Sequence, residues 1–452
     1  MNHSRLTAAV FFLAEALSLH AANWEMWRGQ NNSGMAAGTA PTTWSADQNV
    51  NWTAEIPGLG HSTPLVWEDR IFVTTAVPTE SLATVAERNA QIARQEGAES
   101  GRGRARGRRA GRNAGTAAGA EHRFLVIAFD RETGRKVWER NPITARPHEG
   151  YHRRYGSFAS PSPVTDGERL FVPFGSRGLY AYDLEGDLLW EKDYGVRMQM
   201  AGRFGEGRSP ALNGGTLLMV FDHQGQSFVS ALDKRTGKEV WRRDRDERSS
   251  WSLPLITEFG GRTQAIVSAS GKIRSYDLET GEVIWECAGL GSNVIPAVVR
   301  DRDMVYAMSG HRDPNLLAIR LGGEGDITDS DHVIWTNQRG NSYTASAVLN
   351  EGILYVVTDR GLISAFDATT GEPHYQQQRL PNPYSLKASP IGADGKLYVA
   401  TEQGDVVVVK LGPTYEVLAV NSIEGETFIS SPVIADGEIY LRGRNTLYAV
   451  SD

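Results

Sequence analysis

YAYDLEGDLLWEKD (180–193) reads as a strand, a tight turn and a second strand. The chain repeats it. AFDRETGRKVWER (128–140), ALDKRTGKEVWRR (231–243), SYDLETGEVIWEC (275–287) and AFDATTGEPHYQQ (365–377) keep the same order of parts. An Asp ends one strand, a Gly sits in the turn, and a large aromatic follows on the next strand. The Asp carboxylate can accept backbone N–H groups ahead of it, and the Gly can take the left-handed conformation that closes the hairpin. The aromatic lies on the outer strand, where a broad flat side chain packs between units that cannot bury their faces alone. Asp130, Trp138, Asp183, Trp190, Asp233, Trp241, Asp277, Trp285 and Asp367 are therefore read as parts of a structural repeat rather than as catalytic groups.

A second landmark precedes each phrase: a Ser/Thr-Pro step that opens an apolar strand. Its proline position falls at Pro64, Pro163, Pro210, Pro254, Pro296, Ala347, Pro390 and Pro432. The steps between them are 99, 47, 44, 42, 51, 43 and 42 residues, so eight units follow one another and only the first carries a large insertion, 79–121. Four short strands per unit with Gly-containing turns give an all-β chain, and units of this length give an eight-bladed β-propeller of four-stranded antiparallel blades. The last unit stops three strands in. NVNWTAEI (49–56) has the character of an outer strand and is predicted to complete that blade, closing the ring and removing an exposed sheet edge.

The rest of the chain bounds the function. A net charge of −7 over 452 residues hides an asymmetry: residues 79–123 hold nine Arg and five Glu, a charge of +4. GRGRARGRRAGR (101–112) cannot build a core and is expected to be disordered, with an anionic partner as its functional reading. The body has no overall basic character that would suit specific nucleic-acid binding. The start, MNHSRLTAAVFFLAEALSLHAAN, is expected to be a signal peptide over 1–21, which places a single propeller over 22–452 in the periplasm or outside the cell, as a monomer. Cys287 is the only cysteine; it allows no intramolecular disulfide and reads as a packed apolar group.

Other groups give weaker signals. HEGYH (148–152) spaces two His by four residues, but on a loop and without a third ligand, so no metal site is expected. Asp326, Asp329 and Asp331 crowd an extended turn in the fifth unit and read as a solvated loop. RGQNNSG (28–34) lacks the strand-to-helix context of a phosphate cradle. Asp222, His223, His311 and Arg312 sit near hairpin turns and read as turn caps.

The repeated A-x-D-x-x-T-G-x-x-x-W, the S-P openings and WEMWRGQNNSG (24–34) resemble the pyrroloquinoline-quinone-like (PQQ-like) β-propeller repeat family over nearly the whole chain. That family includes quinoprotein dehydrogenases, BamB-type outer-membrane assembly lipoproteins and exported propellers of unassigned function; this sequence looks most like the last. The resemblance implies a non-catalytic propeller that recognises an envelope protein or other macromolecule through one rim, with no cofactor. Its alternative is a PQQ-dependent dehydrogenase of alcohols or sugars, with calcium. In that case His152 would act as base, and Arg153, Arg154, Arg203 or Arg208 would hold the quinone carboxylates. The vicinal cysteine pair of the alcohol-oxidising branch is absent, as is a cysteine near residue 21 that could carry a lipid.

Overall fold

The computed structural model describes residues 23–29, 32–81, 84 and 119–452. The expected signal peptide and the Arg-rich stretch 101–112 lie outside the described residues. Eight antiparallel sheets succeed one another along the chain. Blade 1 is Leu65–Trp67, Arg70–Pro78, His122–Asp130 and Lys136–Ala145. Blade 8 is Val433–Ala435, Glu438–Arg442 and Thr446–Val450, and its outer strand is Val50–Glu55 from the other end of the chain. Trp52 pairs with Ala449 and Thr53 with Tyr448, so the ring closes as the count of strands required. Further latches hold the seam. Arg131 of blade 1 donates to the Tyr440 hydroxyl and the Ala435 carbonyl of blade 8. Arg442 of blade 8 donates back to the Ser62 and Thr74 carbonyls.

The repeated turns behave as their residues dictate. Asp130 Oδ1 accepts from the Thr133 N–H, Asp233 from Thr236, Asp277 from Thr280 and Asp367 from Thr370, all at 2.8–2.9 Å. Each turn then receives the tryptophan of the preceding blade. The indole N–H of Trp138 donates to Leu184 O, Trp190 to Lys234 O, Trp241 to Leu278 O, Trp335 to Ala368 O and Trp52 to Arg131 O, within 2.9–3.0 Å. The ring lies flat over the turn glycine, so that a Cβ on Gly371 would meet Trp335 at 2.7 Å. Opposite each of these tryptophans the third strand carries Ala, which leaves the ring room.

Three seams depart from the pattern, and each has a substitute. In blade 5 the tight turn is replaced by a longer connection. Its Gly325–Asp326 pairs in parallel with the outer strand of blade 4, and Ile327 joins the apolar cluster around Trp285. Asp326 caps Thr328 there, while Asp329 and Asp331 are exposed. In blade 6, Tyr375 packs at a tilt against Tyr415 of blade 7, with ring centroids 5.7 Å apart. In blade 7 the tryptophan position is Ala419, opposite Val408 rather than Ala. Trp44, from the N-terminal segment, stacks on Tyr398 at 6.4 Å and donates its backbone N–H to Asn421 Oδ1. Trp52 on Tyr440 and Trp335 on Tyr306 have nearly the same separation, 6.2 and 5.9 Å.

Residues 24–29 and 32–34 form the hub. Trp24 exchanges two backbone hydrogen bonds with Val66 of blade 1, and Glu25 O accepts from Thr165 of blade 2. Met26 packs into the cluster between blades 2 and 3. Asn32 donates to Pro254 O and Val298 O at blades 4 and 5. Arg28 donates to Ala347 O and Pro390 O at blades 6 and 7, and Trp27 to the Ser431 hydroxyl at blade 8. This short segment thus touches all eight blades and closes one end of the central channel. Arg28 is fully buried and meets carbonyl oxygens rather than a carboxylate. The chain turns back over it at Gly34, whose φ is +67° and where a Cβ would overlap the guanidinium.

Two predictions follow from the dock and the hub. Gly371 and Gly352 share φ +76° in the same blade, but only Gly371 lies under a tryptophan. Gly352→Ala is expected to cost about 1 kcal/mol in denaturant unfolding, from left-handed strain alone. Gly371→Ala should cost about 2 kcal/mol more, because Trp335 must move off its carbonyl. Equal losses would show that the docking contributes nothing. Arg28→Ala is expected to cost about 2 kcal/mol, since two buried carbonyls lose their donor.

Candidate functional site

Within each antiparallel blade the strands alternate in direction, so the connections fall into two sets. The turns joining first to second and third to outer strands lie on one face, here the turn face. The connections joining second to third strands, and each outer strand to the next blade, lie on the other, the loop face. The channel is plugged toward the turn face and open toward the loop face, where it forms a pocket of about 170 Å³.

Trp27 of the hub is the pocket floor, and Thr63, Ser162, Ser209 and Ser431 ring it just above. These belong to the Ser/Thr-Pro steps that the sequence repeats. Their hydroxyls are spent between blades: the Thr63 N–H donates to Ser162 Oγ, Ser162 N–H to Ser209 Oγ, and Ser389 N–H to Ser431 Oγ. The walls are aromatic: Tyr155, Phe204, Trp251 and Tyr343. His152 stacks on Tyr155 with ring centroids 3.5 Å apart. Burial, then Lys387 and Arg154, hold its imidazole below the usual range. His61 is pushed down to about 3 by burial and then by Arg442 and Arg444, so it is a neutral ring on the wall.

Lys387 is the one Lys or Arg among the lining residues, and its ammonium is 2.6 Å from Asp359 Oδ2. Asp359 in turn accepts from the Tyr343 and Thr344 N–H groups. Glu206, the one lining acid, pairs with Arg177 at 3.1 Å. A cavity of about 150 Å³ holds one benzene-sized ring, so this pocket takes a single ring of an occupant and presents it with aromatic faces. A quinone bearing three carboxylates is a poor match to one lysine that already has its counter-ion, and calcium is a poor match to one carboxylate that already has its arginine.

The residues named from the sequence as quinone ligands are elsewhere. Arg153 and Arg203 are exposed on the loop face. Arg154 is exposed there too and pairs with Glu402 at 3.3 Å. Arg208 is turned into the seam between blades 3 and 4, where it pairs with Asp222 at 3.1 Å and meets the Ser250 hydroxyl. Asp222 also holds the fully buried Arg245 at 2.8 Å. Burial would raise the Asp222 carboxyl, but Arg245 and Arg208 outweigh it and hold it below its usual range. His223 accepts from the Gly225 N–H and meets Gln226 O, so it closes its own hairpin as the sequence suggested. His311 lies against Tyr343 at 4.9 Å, and Arg312 is exposed beside it. Cys287 is buried; burial and then Asp326 and Asp329 push its thiol up to about 11, which leaves it inert.

His148, Glu149 and Glu206 bring ligand atoms within 4.8 Å of one another. Arg177 stands among them, 2.9 Å from His148 Nδ1, and supplies the positive charge such a group would seek from an ion. Glu149 is pushed up to about 7 by burial, opposed by the Met200 N–H and helped by Glu206. A carboxyl raised on folding favours the protonated state, so its contribution is full below its unfolded value of 4.5 and is lost as pH rises through 7. Glu149→Gln keeps an acceptor for Met200 and removes the titration. It should raise the melting temperature by about one to two degrees at pH 8 and leave it unchanged near pH 4. A gain of the same size at both pH values would refute the coupling.

The family described as outer membrane protein assembly factor BamB matches residues 122–377 and 323–414. The protein of that name from Yersinia pestis is 22% identical over 349 residues, which span 73% of this chain and 80% of that one. The crystal structure of BamB from Moraxella catarrhalis superposes with a TM-score of 0.54 at 14% identity, over 75% of this chain and 96% of that one. Quinohemoprotein alcohol dehydrogenase from Comamonas testosteroni superposes with a TM-score of 0.60 at 10% identity, over 95% of this chain and 80% of that one. The structural likenesses speak for the fold alone. By the extent of the sequence match, the chain belongs to the family of the outer membrane protein assembly factor BamB.

Proposed function

We propose that this chain is a non-catalytic binding and scaffold propeller of the cell envelope, periplasmic or secreted, that holds a protein partner against the outer strands of blades 1–4. The observation that carries the reading is where the exposed apolar side chains lie. Val137, Leu188, Leu189, Val240 and Val283 stand outward on the outer strands of four successive blades, Val240 with 60% of its surface exposed, and Leu418 and Val420 form a separate pair on the outer strand of blade 7. An apolar band beside free strand edges is the surface a partner covers, by side-chain contact and by adding a strand. The blade 4 edge already carries such an added strand, Gly325–Asp326, from within the chain. Family membership supports the reading, because the relatives carry the name assembly factor.

The rival is a PQQ-dependent dehydrogenase, and one titration separates the two. Pyrroloquinoline quinone with calcium, added well above micromolar, should leave the melting temperature unchanged, because a ligand of the folded state must raise it. A saturable rise that Lys387→Ala abolishes would replace the scaffold with the enzyme. A photo-crosslinking residue at Val240 should in addition give one discrete adduct in envelope extract, while the same residue at Glu279 on the turn face gives none. Matching adducts from both positions would remove the outer strands as the contact surface.

A further inference from the structure

The two faces of the propeller differ in charge in a way the net value conceals. On the turn face, the turns between described strands expose eighteen acids and four bases. The cause is local: hairpin closure favours Asp and Gly, and Glu fills the remaining exposed turn positions. On the loop face, the described connections expose ten arginines and five acids. Only Arg154 among those ten arginines has an ion pair, with Glu402. The other acids of that face are withdrawn from solvent by partners of their own. Glu206 is taken by Arg177, Asp222 by Arg208 and Arg245, and Asp359 by Lys387. What remains outward is an excess of guanidinium groups on one face along the axis and an excess of carboxylates on the other.

The free arginines encircle the pocket mouth. Arg146 and Arg153 lie between blades 1 and 2, Arg203 between 2 and 3, Arg248 between 3 and 4, Arg339 between 5 and 6, and Arg360 within blade 6. A nucleic-acid strand or an acidic patch on a protein would meet an arc of such a ring. A planar anionic surface meets all of it at once. Among the described residues, the exposed large apolar side chains are all on outer strands and none on the loop face. Contact by the described loop-face residues is therefore electrostatic. The insertion leaves at Pro78 and returns at His122, both on this same face.

We infer that the loop face docks the propeller on a bilayer surface of anionic phospholipid, pocket mouth toward the headgroups and turn face away from them. The bound state is held by arginine–phosphate contacts, and the acidic turn face reinforces the orientation because it is repelled by the same surface. The partner band on the outer strands then stands perpendicular to the membrane and remains open to a protein beside it.

The test is co-sedimentation of the full chain with vesicles. Binding is expected to phosphatidylglycerol–phosphatidylcholine vesicles and absent with pure phosphatidylcholine, and it should disappear at about 1 M salt, where the screening length is about 3 Å. Two double variants carry the same change in net charge on opposite faces and keep the insertion: Arg248→Glu with Arg360→Glu, and Arg235→Glu with Lys238→Glu. All four side chains are exposed, and melting temperatures check that both variants fold. The first pair should weaken vesicle binding by at least about tenfold, at roughly fivefold per charge lost near the surface, and the second should not. Equal weakening by both pairs, or none by either, overturns the inference, since net charge or the insertion alone would then govern. Tight binding of an oligonucleotide or of polyglutamate without vesicle binding overturns it in favour of a different polyanion. The Val240 adduct depends on none of these residues, so its presence or absence reports on the partner surface separately.

Discussion

A four-stranded blade has two apolar faces and no means of covering either alone, so every property of this molecule depends on how one blade meets the next. At five of the eight seams the meeting is a tryptophan laid over a neighbour's turn glycine, its indole N–H on a turn carbonyl. The contact is polar at its tip and apolar across its face, which is the combination a half-wet rim needs. It fixes the rotation of each blade about the axis, because the hydrogen bond is lost if the turn shifts by a fraction of its 3 Å length. Where the tight turn is missing, at blade 5, the replaced connection is long enough to reach the previous blade's edge by itself.

The centre obeys a different constraint. Inner strands converge with their carbonyls directed at the axis, and those oxygens need donors. Arg28 and Asn32 supply them from one short segment, and Trp27 beside them donates to the Ser431 hydroxyl. A guanidinium suits the place because its donors are fixed in a plane and can serve two blades at once. The same segment decides what the pocket is: with the channel stopped at Trp27, the loop-face opening becomes a shallow aromatic cup rather than a through-pore.

What could be read from the sequence was whatever repeats or lies close along the chain. The Asp–Thr–Gly turns, the docked tryptophans and the strand that closes blade 8 were legible because each belongs to a short pattern that recurs along the chain. The hub was not, although its residues stood out: Arg28 meets partners 319 and 362 residues away, and those partners are carbonyls, which leave no mark in a sequence. The pocket was not legible either, since Tyr155, Phe204, Trp251, Tyr343 and Lys387 come from separate connections with no common spacing. Arg208 shows the opposite error. Its place in a loop suggested a free cation, but Asp222 on the neighbouring hairpin captures it in the seam. Trp44 was hidden because Ala419 reads as a simple loss until the segment that repairs it is seen.

The N-terminal segment has a consequence for assembly. Residues 24–55 supply the axle, the replacement ring of blade 7 and the outer strand of blade 8. The axle reaches every blade, but Trp44 and the Val50–Glu55 strand serve only blades 7 and 8. These two must therefore wait until strands far later in the chain arrive. Blades can form one after another as they emerge, but the circle locks only once blade 8 has emerged. Such long-range pairing makes the final step slow, and until it occurs the axle and both seam edges stand open to a chaperone or to a second chain.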